Sequence, residues 1–278
     1  MHLDCAGKRL DLTGPAVMGV LNVTPDSFSG DGLPRDVAAA CAQALAMQAA
    51  GAAVIDIGGE STRPGAARVS VDEELRRVLP VIERLAGQLA IPICIDTRQP
   101  QVMRAAVAAG AGLINDVAAL REPGALDVAA ALGVPVVLMH MQGEPGTMQM
   151  APHYDDVVAE VAAFLTGRVA VCEAAGIARQ RLLLDPGFGF GKSAAHNIAL
   201  LRGLPRLADI GLPLLAGLSR KSLIGAITGA PVEKRLGGSI ALALLAAQRG
   251  ARLLRVHDVE QTVQALAVLA AVQGGDNG

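Results

Sequence analysis

Eight short runs of the chain consist mostly of apolar residues and are rich in Val, Ile and Leu. Apolar and polar residues do not alternate within them, which is typical of strands buried on both faces, as parallel strands are. The pattern therefore predicts eight parallel strands, at residues 16–21, 53–57, 91–95, 112–115, 134–139, 182–185, 213–216 and 252–256.

Stretches with the apolar spacing of helices separate these runs. They cover residues 36–50, 71–88, 99–109, 124–132, 155–175, 195–202, 232–249 and 258–272. Asp36 and Asp258 are placed to cap helix N termini. Glycines stand where five of the helices should end, at Gly51, Gly110, Gly133, Gly176 and Gly250.

The alternation of eight strands with eight helices predicts an α/β fold, a parallel eight-stranded (β/α)8 TIM barrel. The length of 278 residues suits one such barrel. A doubly wound open sheet is the alternative. Since no linker or low-complexity tract divides the chain, we expect one domain over 1–278, with a short N-terminal extension at 1–15 and a frayed tail at 273–278.

Composition excludes several classes of protein. Hydrophobic residues make up 52% of the chain and charged residues 18%, which excludes a disordered chain. No run of about 18 apolar residues is uninterrupted, so we expect no membrane span. The net charge of −2 argues against a nucleic-acid partner. The four cysteines form no CxxC pair, which indicates free thiols in a cytoplasmic protein rather than a zinc site or disulfides.

Polar residues stand at the C-terminal edge of nearly every predicted strand. In a parallel barrel these edges gather on one face, where active sites lie, so we expect a single site there. The residues are Asn22, Asp56 with Glu60, Asp96, Asn115 with Asp116, His140, Asp185, Ser219, Arg220, Lys221, and Arg255 with His257. Two unusually long connections, 22–35 and 58–70, are rich in Gly, Pro and Ser and predict lids over the same face.

The residue types at these edges predict a flat, nitrogen-rich heterocycle as one ligand group. Asp96 and Asp185 offer carboxylates, which accept hydrogen bonds from ring N–H and amino groups. Asn115 offers a donor and an acceptor together.

A second group of residues predicts an anionic ligand. Arg63, Arg255 and His257 supply donors for an anion, of which phosphate is the simplest. Asn22 offers a neutral oxygen that could share Mg²⁺ with phosphate oxygens.

The segment GFGFGKS at 187–193 is close to a phosphate-binding P-loop but departs from it. Pro186 stands where the P-loop requires its first glycine, and the alternating glycines do not fit the dinucleotide-binding spacing. The segment therefore predicts an irregular loop that shapes a pocket, and it gives no support for ATP or NAD chemistry.

Seven ordered motifs resemble those of the dihydropteroate synthases, a pterin-binding family of folate biosynthesis that sulfonamides inhibit. They are MGVLNVTPDSFS (18–29), IDIGGESTRPGA (55–66), INDV (114–117), LMHMQG (138–143), LLLDPGFGFGK (182–192), LSRKS (218–222) and RVHDV (255–259). The resemblance implies a transferase that joins (7,8-dihydropterin-6-yl)methyl diphosphate to 4-aminobenzoate, giving 7,8-dihydropteroate and diphosphate, with Mg²⁺ as cofactor.

The resemblance also implies three subsites. The pterin would contact Asp96, Asn115, Asp185, Lys221 and Met139. The diphosphate would be held by Asn22 through Mg²⁺ and by Arg63, Arg255 and His257. The 4-aminobenzoate would lie against Phe28, Thr62, Arg63, Pro64, Phe190, Lys221 and Ser222.

Turnover is expected to depend on Lys221, Arg255 and His257, with Asp31 as a fourth candidate. The family usually reads SFSDGG in the first long loop, whereas this chain has Ser29-Gly30-Asp31-Gly32. Because the acid has moved one place, Asp31 would have to reach the site from a shifted backbone position.

The chemistry of the reaction favours a dissociative, SN1-like displacement. The aromatic amine of 4-aminobenzoate is a weak nucleophile, so neutralising the leaving diphosphate is the more effective catalysis. Two alternatives stay open. One is a pterin-binding methyltransferase barrel, which needs no diphosphate clamp, and the other is a non-catalytic pterin-binding homologue.

The last two helical stretches predict a contact beyond the barrel. Segments 239–247 and 263–272 carry Ala and Leu on more than one face. The resemblance implies a homodimer.

Overall fold

The predicted parallel eight-stranded barrel is confirmed. A computed structural model describes residues 1–23, 33–61, 68–143 and 146–274, with the backbone alone at 33–35. An antiparallel hairpin comes first, formed by β1 (His2–Cys5) and β2 (Lys8–Asp11). The barrel strands are β3 (Ala16–Asn22), β4 (Val54–Gly58), β5 (Ile93–Asp96), β6 (Leu113–Asp116), β7 (Val136–Met139), β8 (Leu182–Asp185), β9 (Leu214–Ala216) and β10 (Ala251–Val256). They close in the order β10-β3-β4-β5-β6-β7-β8-β9.

All eight predicted helices are present, and the described residues contain two more. The helices are α1 (Leu33–Ala49), α2 (Val71–Ala86), α3 (Pro100–Ala108), α4 (Ala125–Leu132), α5 (Val157–Ala174), α6 (Ala194–Arg202), α7 (Leu204–Ala208), α8 (Ser222–Thr228), α9 (Leu236–Gln248) and α10 (Val259–Gln273). Helices α7 and α8 were not predicted, because helices of five and seven residues are too short to show a helical period. None of the described helices is long and apolar enough to cross a membrane.

The predicted helix ends are confirmed more often than the predicted helix starts. All five glycines expected at helix ends have a positive φ, between 75° and 117°. The prediction that Asp36 caps a helix is wrong, because α1 begins at Leu33 and Asp36 lies in its first turn. Asp258 is the residue before α10 as predicted, but its carboxylate accepts from Arg220 instead of capping the helix. Gln273, expected in the frayed tail, is the last residue of α10, and 275–278 lie outside the described residues.

The N-terminal end of the barrel is closed by the hairpin β1–β2, within the segment expected as an extension. Lys8 Nζ fixes it to the end of α2 by donating to the carbonyl oxygens of Ala86 and Leu89, at 3.1 and 2.7 Å. Its apolar side chains are buried against the barrel interior: Leu3, Cys5, Leu10 and Leu12. The opposite end, where the C termini of the strands gather, is therefore the end at which a ligand can enter.

Alternation along each strand decides which side chains face the barrel interior. The residues that face outward, such as Ile55, Ile95 and Leu254, pack into the larger apolar cluster between the strands and the helices. Side chains two residues apart in a strand therefore face the same side, so every second residue of a strand faces the barrel interior. The lower interior layer is apolar and is formed by Met18, Val54, Cys94, Leu113, Val137, Leu183, Leu215 and Leu253.

Candidate active site

The second interior layer is formed by the residues two positions beyond the apolar layer, and most of them are polar. Strand pairing holds them at similar heights, since Asp96 lies opposite Asn115 and Met139 lies opposite Asp185. The prediction that polar strand ends meet at one mouth is confirmed for these side chains. The layer contains Asp56, Asp96, Asn115, Met139, Asp185 and Arg255.

Arg255 lies at the centre of this layer and bridges two carboxylates. Its Nε donates to Asp56 Oδ2 at 2.6 Å, and its Nη2 donates to Asp96 Oδ2 at 2.7 Å. Although burial opposes it, the two carboxylates hold the pKa of Arg255 above its usual value. Burial raises the pKa of Asp96, and Arg255 counters that effect. The guanidinium is thus fixed in place and stays charged.

Asp56 is the important residue whose role the sequence analysis did not assign. Its side chain is fully buried, although Asp56 stands near the middle of an apolar run. The signal was available in the sequence, because an acid in a doubly buried strand requires a cationic partner. Asp56 stands two residues after Val54, and that spacing places it on the interior face.

Two buried oxygens in this layer have no hydrogen-bond partner among the described residues. They are Asp56 Oδ1 and Asn115 Oδ1. Asn115 Nδ2 approaches Asp56 Oδ2 at 3.4 Å, which leaves the amide oxygen free to accept. An unpaired buried acceptor costs about 1–3 kcal/mol. The pair therefore forms a receptor for a ligand that carries N–H donors.

Asp185 and Lys221 form the opposite side of the mouth. Asp185 Oδ1 accepts from the backbone N–H of Gly187 at 2.7 Å. Burial raises the pKa of Asp185, while this N–H and three nearby cations, Lys221 first, counter it. Burial lowers the pKa of Lys221 to about 8, and Arg255 adds to that lowering. Asp185 and Lys221 are therefore close enough for each to stabilise the charged form of the other.

The Lys221 ammonium lies over an aromatic ring. Its Nζ is 4.3 Å from the ring centroid of Phe190, a distance at which cation and ring attract. Arg220 precedes it with φ +58° and donates its backbone N–H to Ser239 Oγ at 2.9 Å, which fixes this turn. Ser222, expected near 4-aminobenzoate, is exposed and begins α8 next to Lys221.

An apolar wall joins these polar groups. Met139, expected beside the pterin, is buried in a cluster with Val117, Met141 and Met148, and Phe190 packs against it. Long, flexible methionine side chains adapt to a flat ring better than branched ones do. The wall gives a planar ligand an apolar face.

Asn22 and His257 lie on the remaining side of the mouth. Asn22 pairs with Gly58 across β3 and β4, and Gly58 pairs with Asp96. A Cβ placed on Gly58 would lie 3.9 Å from Asn22 Oδ1 and 3.7 Å from Asp96 Oδ2. Gly58 therefore lies close to both of these oxygens. His257 Nδ1 is 3.0 Å from Ser219 Oγ, which fixes its ring after β10.

Four of the polar strand-end residues turn away from the mouth, so the expectation that all of them serve the site is wrong for these. Glu60 accepts from Arg98 at 3.0 Å on the outer side of the rim. Asp116 lies on the outward face of β6 and accepts from backbone N–H groups of the next turn. Arg220 pairs with Asp258. His140 contacts Lys192 rather than the mouth.

The segment 187–193 is an irregular loop, as predicted. Gly187, Gly189 and Gly191 all have positive φ, between 60° and 80°. A Cβ on Gly187 would collide with the carbonyl oxygen of His140, so only glycine fits this approach. Lys192 closes the loop and is buried.

Several predicted site residues lie outside the described residues. This applies to the expected lids, whose residues 24–32 and 62–67 are not described. These segments carry four residues expected to bind 4-aminobenzoate, Phe28, Thr62, Arg63 and Pro64, of which Arg63 was also expected to bind the diphosphate. They also carry Asp31, the fourth catalytic candidate.

Comparison with known proteins agrees with this geometry. Residues 18–257 match the family described as pterin binding enzyme. Dihydropteroate synthase of Escherichia coli K12 is 54% identical over 271 residues, covering 98% of this chain and 96% of the relative. A Xanthomonas albilineans dihydropteroate synthase solved with 4-aminobenzoic acid is 63% identical, with a TM-score of 0.93 and 98% of each chain covered. The same bacterium's enzyme in complex with 7,8-dihydropteroate is 60% identical, with a TM-score of 0.90, and the match covers 98% of this chain and 99% of that one.

Proposed function

This chain belongs to the pterin binding enzyme family and, within it, to the dihydropteroate synthases, from which we infer that it condenses (7,8-dihydropterin-6-yl)methyl diphosphate with 4-aminobenzoate. The products are 7,8-dihydropteroate and diphosphate, in folate biosynthesis. The observation that carries this assignment is the set of buried acceptors, Asp56, Asn115 and Asp185, next to the cations Arg255 and Lys221. A coupled assay tests it: dihydropteroate and diphosphate should form when both substrates are present, and failure to form dihydropteroate would contradict the assignment.

The pterin ring lies deepest in this proposal. Asp185 accepts from ring N–H and amino groups, and the free oxygen of Asn115 accepts from another. Asp96 is turned inward by its bond to Arg255. Met139 supplies the apolar face of the ring pocket. Lys221 donates to the acceptor side of the ring.

The 4-aminobenzoate lies nearer the mouth. The Phe190 ring offers a flat surface for the benzene ring, and the Lys221 ammonium above it separates the two substrates. Ser222, at the start of α8, lies in reach of the carboxylate end. Phe28, Thr62, Arg63 and Pro64 complete the pocket in this proposal.

The diphosphate is held by cations and Mg²⁺. Arg255 donates to Asp96, which lies near Asn22 at the mouth, and Arg63 and His257 are proposed as the other donors. In the described ranges, no three His, Cys, Asp or Glu side chains come together as a metal site. This fits Mg²⁺, which is commonly held by one or two protein oxygens together with substrate phosphates. Asn22 Oδ1 is the protein oxygen proposed here, and the ion would neutralise charge on the leaving group.

The displacement is proposed to be dissociative. The C–O bond to diphosphate breaks with its electron pair going to the bridging oxygen, and the electron-rich pterin stabilises the cationic methylene. The amine nitrogen then forms the C–N bond and loses its proton. Arg255 stays charged in its pair of carboxylates and is already oriented, so it stabilises the leaving group without rearranging.

Oxygen-18 in the bridging position tests this mechanism. Reversible C–O cleavage before the amine attacks moves the label into non-bridging positions of recovered substrate. Retention of the label, together with a steep dependence of rate on amine nucleophilicity, would instead indicate a concerted displacement. The same assay with and without Mg²⁺ tests the metal, and unchanged turnover after chelation would overturn its part in the proposal.

The other two sequence-based alternatives predict different products. A methyltransferase barrel would release no diphosphate, and a pterin-binding protein without catalysis would bind pterin and turn nothing over. The cations Lys221 and Arg255 at the mouth favour the synthase, because a leaving diphosphate needs them and a transferred methyl group does not.

A homodimer is proposed through α9 and α10, which pack side by side. Val268 and Val272 of α10 are 65% and 75% exposed, and Leu245 of α9 is exposed as well. An apolar groove of about 500 Å³, lined by residues such as Leu266 and Ala270, lies beside α10 as well. Exposed apolar surface of this kind is typical of an interface between copies.

Analytical ultracentrifugation of Val268→Asp tests the dimer. The variant should sediment as a monomer at concentrations where the parent protein is a dimer. Val171→Asp is the matched control, since Val171 of α5 is exposed apolar surface elsewhere. A monomeric parent protein, or a dimer that survives Val268→Asp, would overturn the proposal.

The cytoplasm is proposed as the compartment. All four cysteines are free thiols and are buried, which suits a reducing environment. Cell fractionation of the native producer would test this, and recovery outside the cytoplasm would contradict it.

A further inference from the structure

Lys192 is a buried cation that the proposed reaction does not use. It is 3% exposed and follows the glycine-rich loop between β8 and α6. Its Nζ lies 2.9 Å from His140 Nδ1, 2.9 Å from the carbonyl oxygen of Gly187 and 3.0 Å from the carbonyl oxygen of Phe190. Because an ammonium has three N–H donors, these three acceptors satisfy it completely.

The acceptors of Lys192 are neutral, so the contact is not a salt bridge. Burial, and then the neighbouring Lys192, lower the pKa of His140 to about 3, so its ring is uncharged and Nδ1 can accept. Burial lowers the pKa of Lys192 itself to about 7, while Asp185 opposes that effect and Lys221 adds to it. The Tyr154 ring, 6.0 Å away, completes the surroundings. Burying an amine in this way costs free energy, which its hydrogen bonds must offset.

The contacts of Lys192 join both ends of the glycine-rich loop to the end of β7. Gly187 and Phe190 belong to the loop, while His140 follows β7. Glycines at positive φ impose little conformation of their own, so the loop depends on such bonds for a unique shape. Lys192 donates to the carbonyl oxygen of Phe190, and the ring of that same residue lies beneath the Lys221 ammonium.

We propose that Lys192 is a positioning residue that sets the Phe190 ring, and with it the Lys221 ammonium, for 4-aminobenzoate. The inference rests on the proposed function of this mouth as a dihydropteroate synthase site. Lys192 touches neither substrate in this proposal. It acts through the Phe190 carbonyl oxygen at 3.0 Å, and the ring of the same residue then lies 4.3 Å from Lys221 Nζ.

Steady-state kinetics of Lys192→Met test this role. Methionine matches the lysine side chain as far as Cε, lacks only the Nζ atom and so removes all three donors. We expect the KM for 4-aminobenzoate to rise about tenfold, while the KM for the pterin diphosphate changes less than about threefold. Equal changes in both constants, or none, would mean that Lys192 only stabilises the fold, and the proposal would be wrong.

Tyr154→Phe is the matched control. Tyr154 Oη donates to the Gly191 carbonyl oxygen at 3.0 Å, so its loss removes one bond to the same loop without touching Gly187 or Phe190. We expect a lower Tm in both variants but an altered KM for 4-aminobenzoate only in Lys192→Met. A similar rise in that KM for Tyr154→Phe would show that any loosening of the loop has this effect, and would overturn the specific role.

A double-mutant cycle with Phe190→Ala separates action through Phe190 from action by other routes. Once the ring is absent, Lys192→Met should change the KM for 4-aminobenzoate by less than about twofold. An undiminished effect would overturn the proposal.

If Lys192→Met does not fold, Lys192→Gln, which retains an N–H donor, replaces it with the same expected selectivity. Failure of the parent protein to form dihydropteroate would refute the proposed function instead, so the two failures are distinguishable.

Discussion

Asp56 and Arg255 form the innermost ion pair of the mouth, with Arg255 Nε 2.6 Å from Asp56 Oδ2 across 199 positions of sequence. Asp56 is fully buried, and Arg255 forms a second ion pair through Nη2 with Asp96 Oδ2. One guanidinium thus connects β4, β5 and β10 and is held rigidly where the diphosphate is proposed to leave. A buried pair of this kind is costly to break, because the remaining charge has no partner.

Asp56→Asn should impair the reaction by loosening Arg255. The amide accepts more weakly than the carboxylate, so the guanidinium is less well oriented for the leaving group. We expect kcat/KM for the pterin diphosphate to fall by roughly 10- to 100-fold. Asp258→Asn serves as control, because Asp258 pairs with Arg220 away from the mouth. Comparable losses in both variants, measured by diphosphate release, would mean that Arg255 is not oriented in this way.

Lys221→Ala should lose most turnover. The change removes the ammonium that lies over Phe190 and faces Asp185, between the two substrates. We expect kcat to fall by about 100-fold or more, since a positioned charge in a buried site acts strongly on developing charge. The exposed Lys234→Ala is the control for simple loss of a positive charge. Kinetics of Lys221→Ala resembling the parent protein would remove Lys221 from the proposed mechanism.

Asp185→Asn should weaken pterin binding. The change replaces one of the two acceptor oxygens by an NH2 donor, which repels a ring donor, and it also loses the attraction of Lys221 and Lys192. The Kd for a pterin ligand, measured by calorimetry, should rise by roughly 10- to 100-fold. Asp155→Asn changes the same group at a fully solvated position and should leave the Kd unchanged. Equal affinities of Asp185→Asn and the parent protein would contradict the pterin assignment.

Glu74→Gln should change how stability depends on pH. Glu74 of α2 is fully buried, and burial raises its pKa from 4.5 to about 7. The folded state therefore binds a proton that the unfolded state releases between these values. The stabilisation from this proton is complete below about pH 4.5 and is lost as the pH rises through about 7.

Glu74→Gln carries no such charge, so its free energy of unfolding at pH 8 should exceed that of the parent protein. The rise in the Glu74 pKa, converted at about 1.36 kcal/mol per pKa unit, gives a difference of roughly 3 kcal/mol. The difference should shrink towards pH 4.5 in urea unfolding curves. Glu83→Gln, at an exposed position of the same helix, should show no such trend. A constant difference between Glu74→Gln and the parent protein at every pH would show that Glu74 does not titrate in this range.

The strands and most helices were predictable because their signals are local. A continuous apolar run identifies a doubly buried strand, as at Leu182–Asp185, whose predicted bounds are those observed. Helices α7 and α8 were missed because they are too short for a period to show. Asp96, Asn115, Asp185, Lys221 and Arg255 were predicted as site residues because each ends or follows a strand of a parallel barrel.

The sequence by itself determined the alternation of strands and helices, the barrel, and the end of it at which the polar groups gather. Only the tertiary structure decided which of those groups face inward, since that depends on strand register and on distant partners. Asp56 turns to Arg255, Glu60 to Arg98, and His140 to Lys192. The physical reason is that a charged or polar side chain leaving water must find a hydrogen-bonding partner, and for these residues the partner lies dozens to hundreds of positions away.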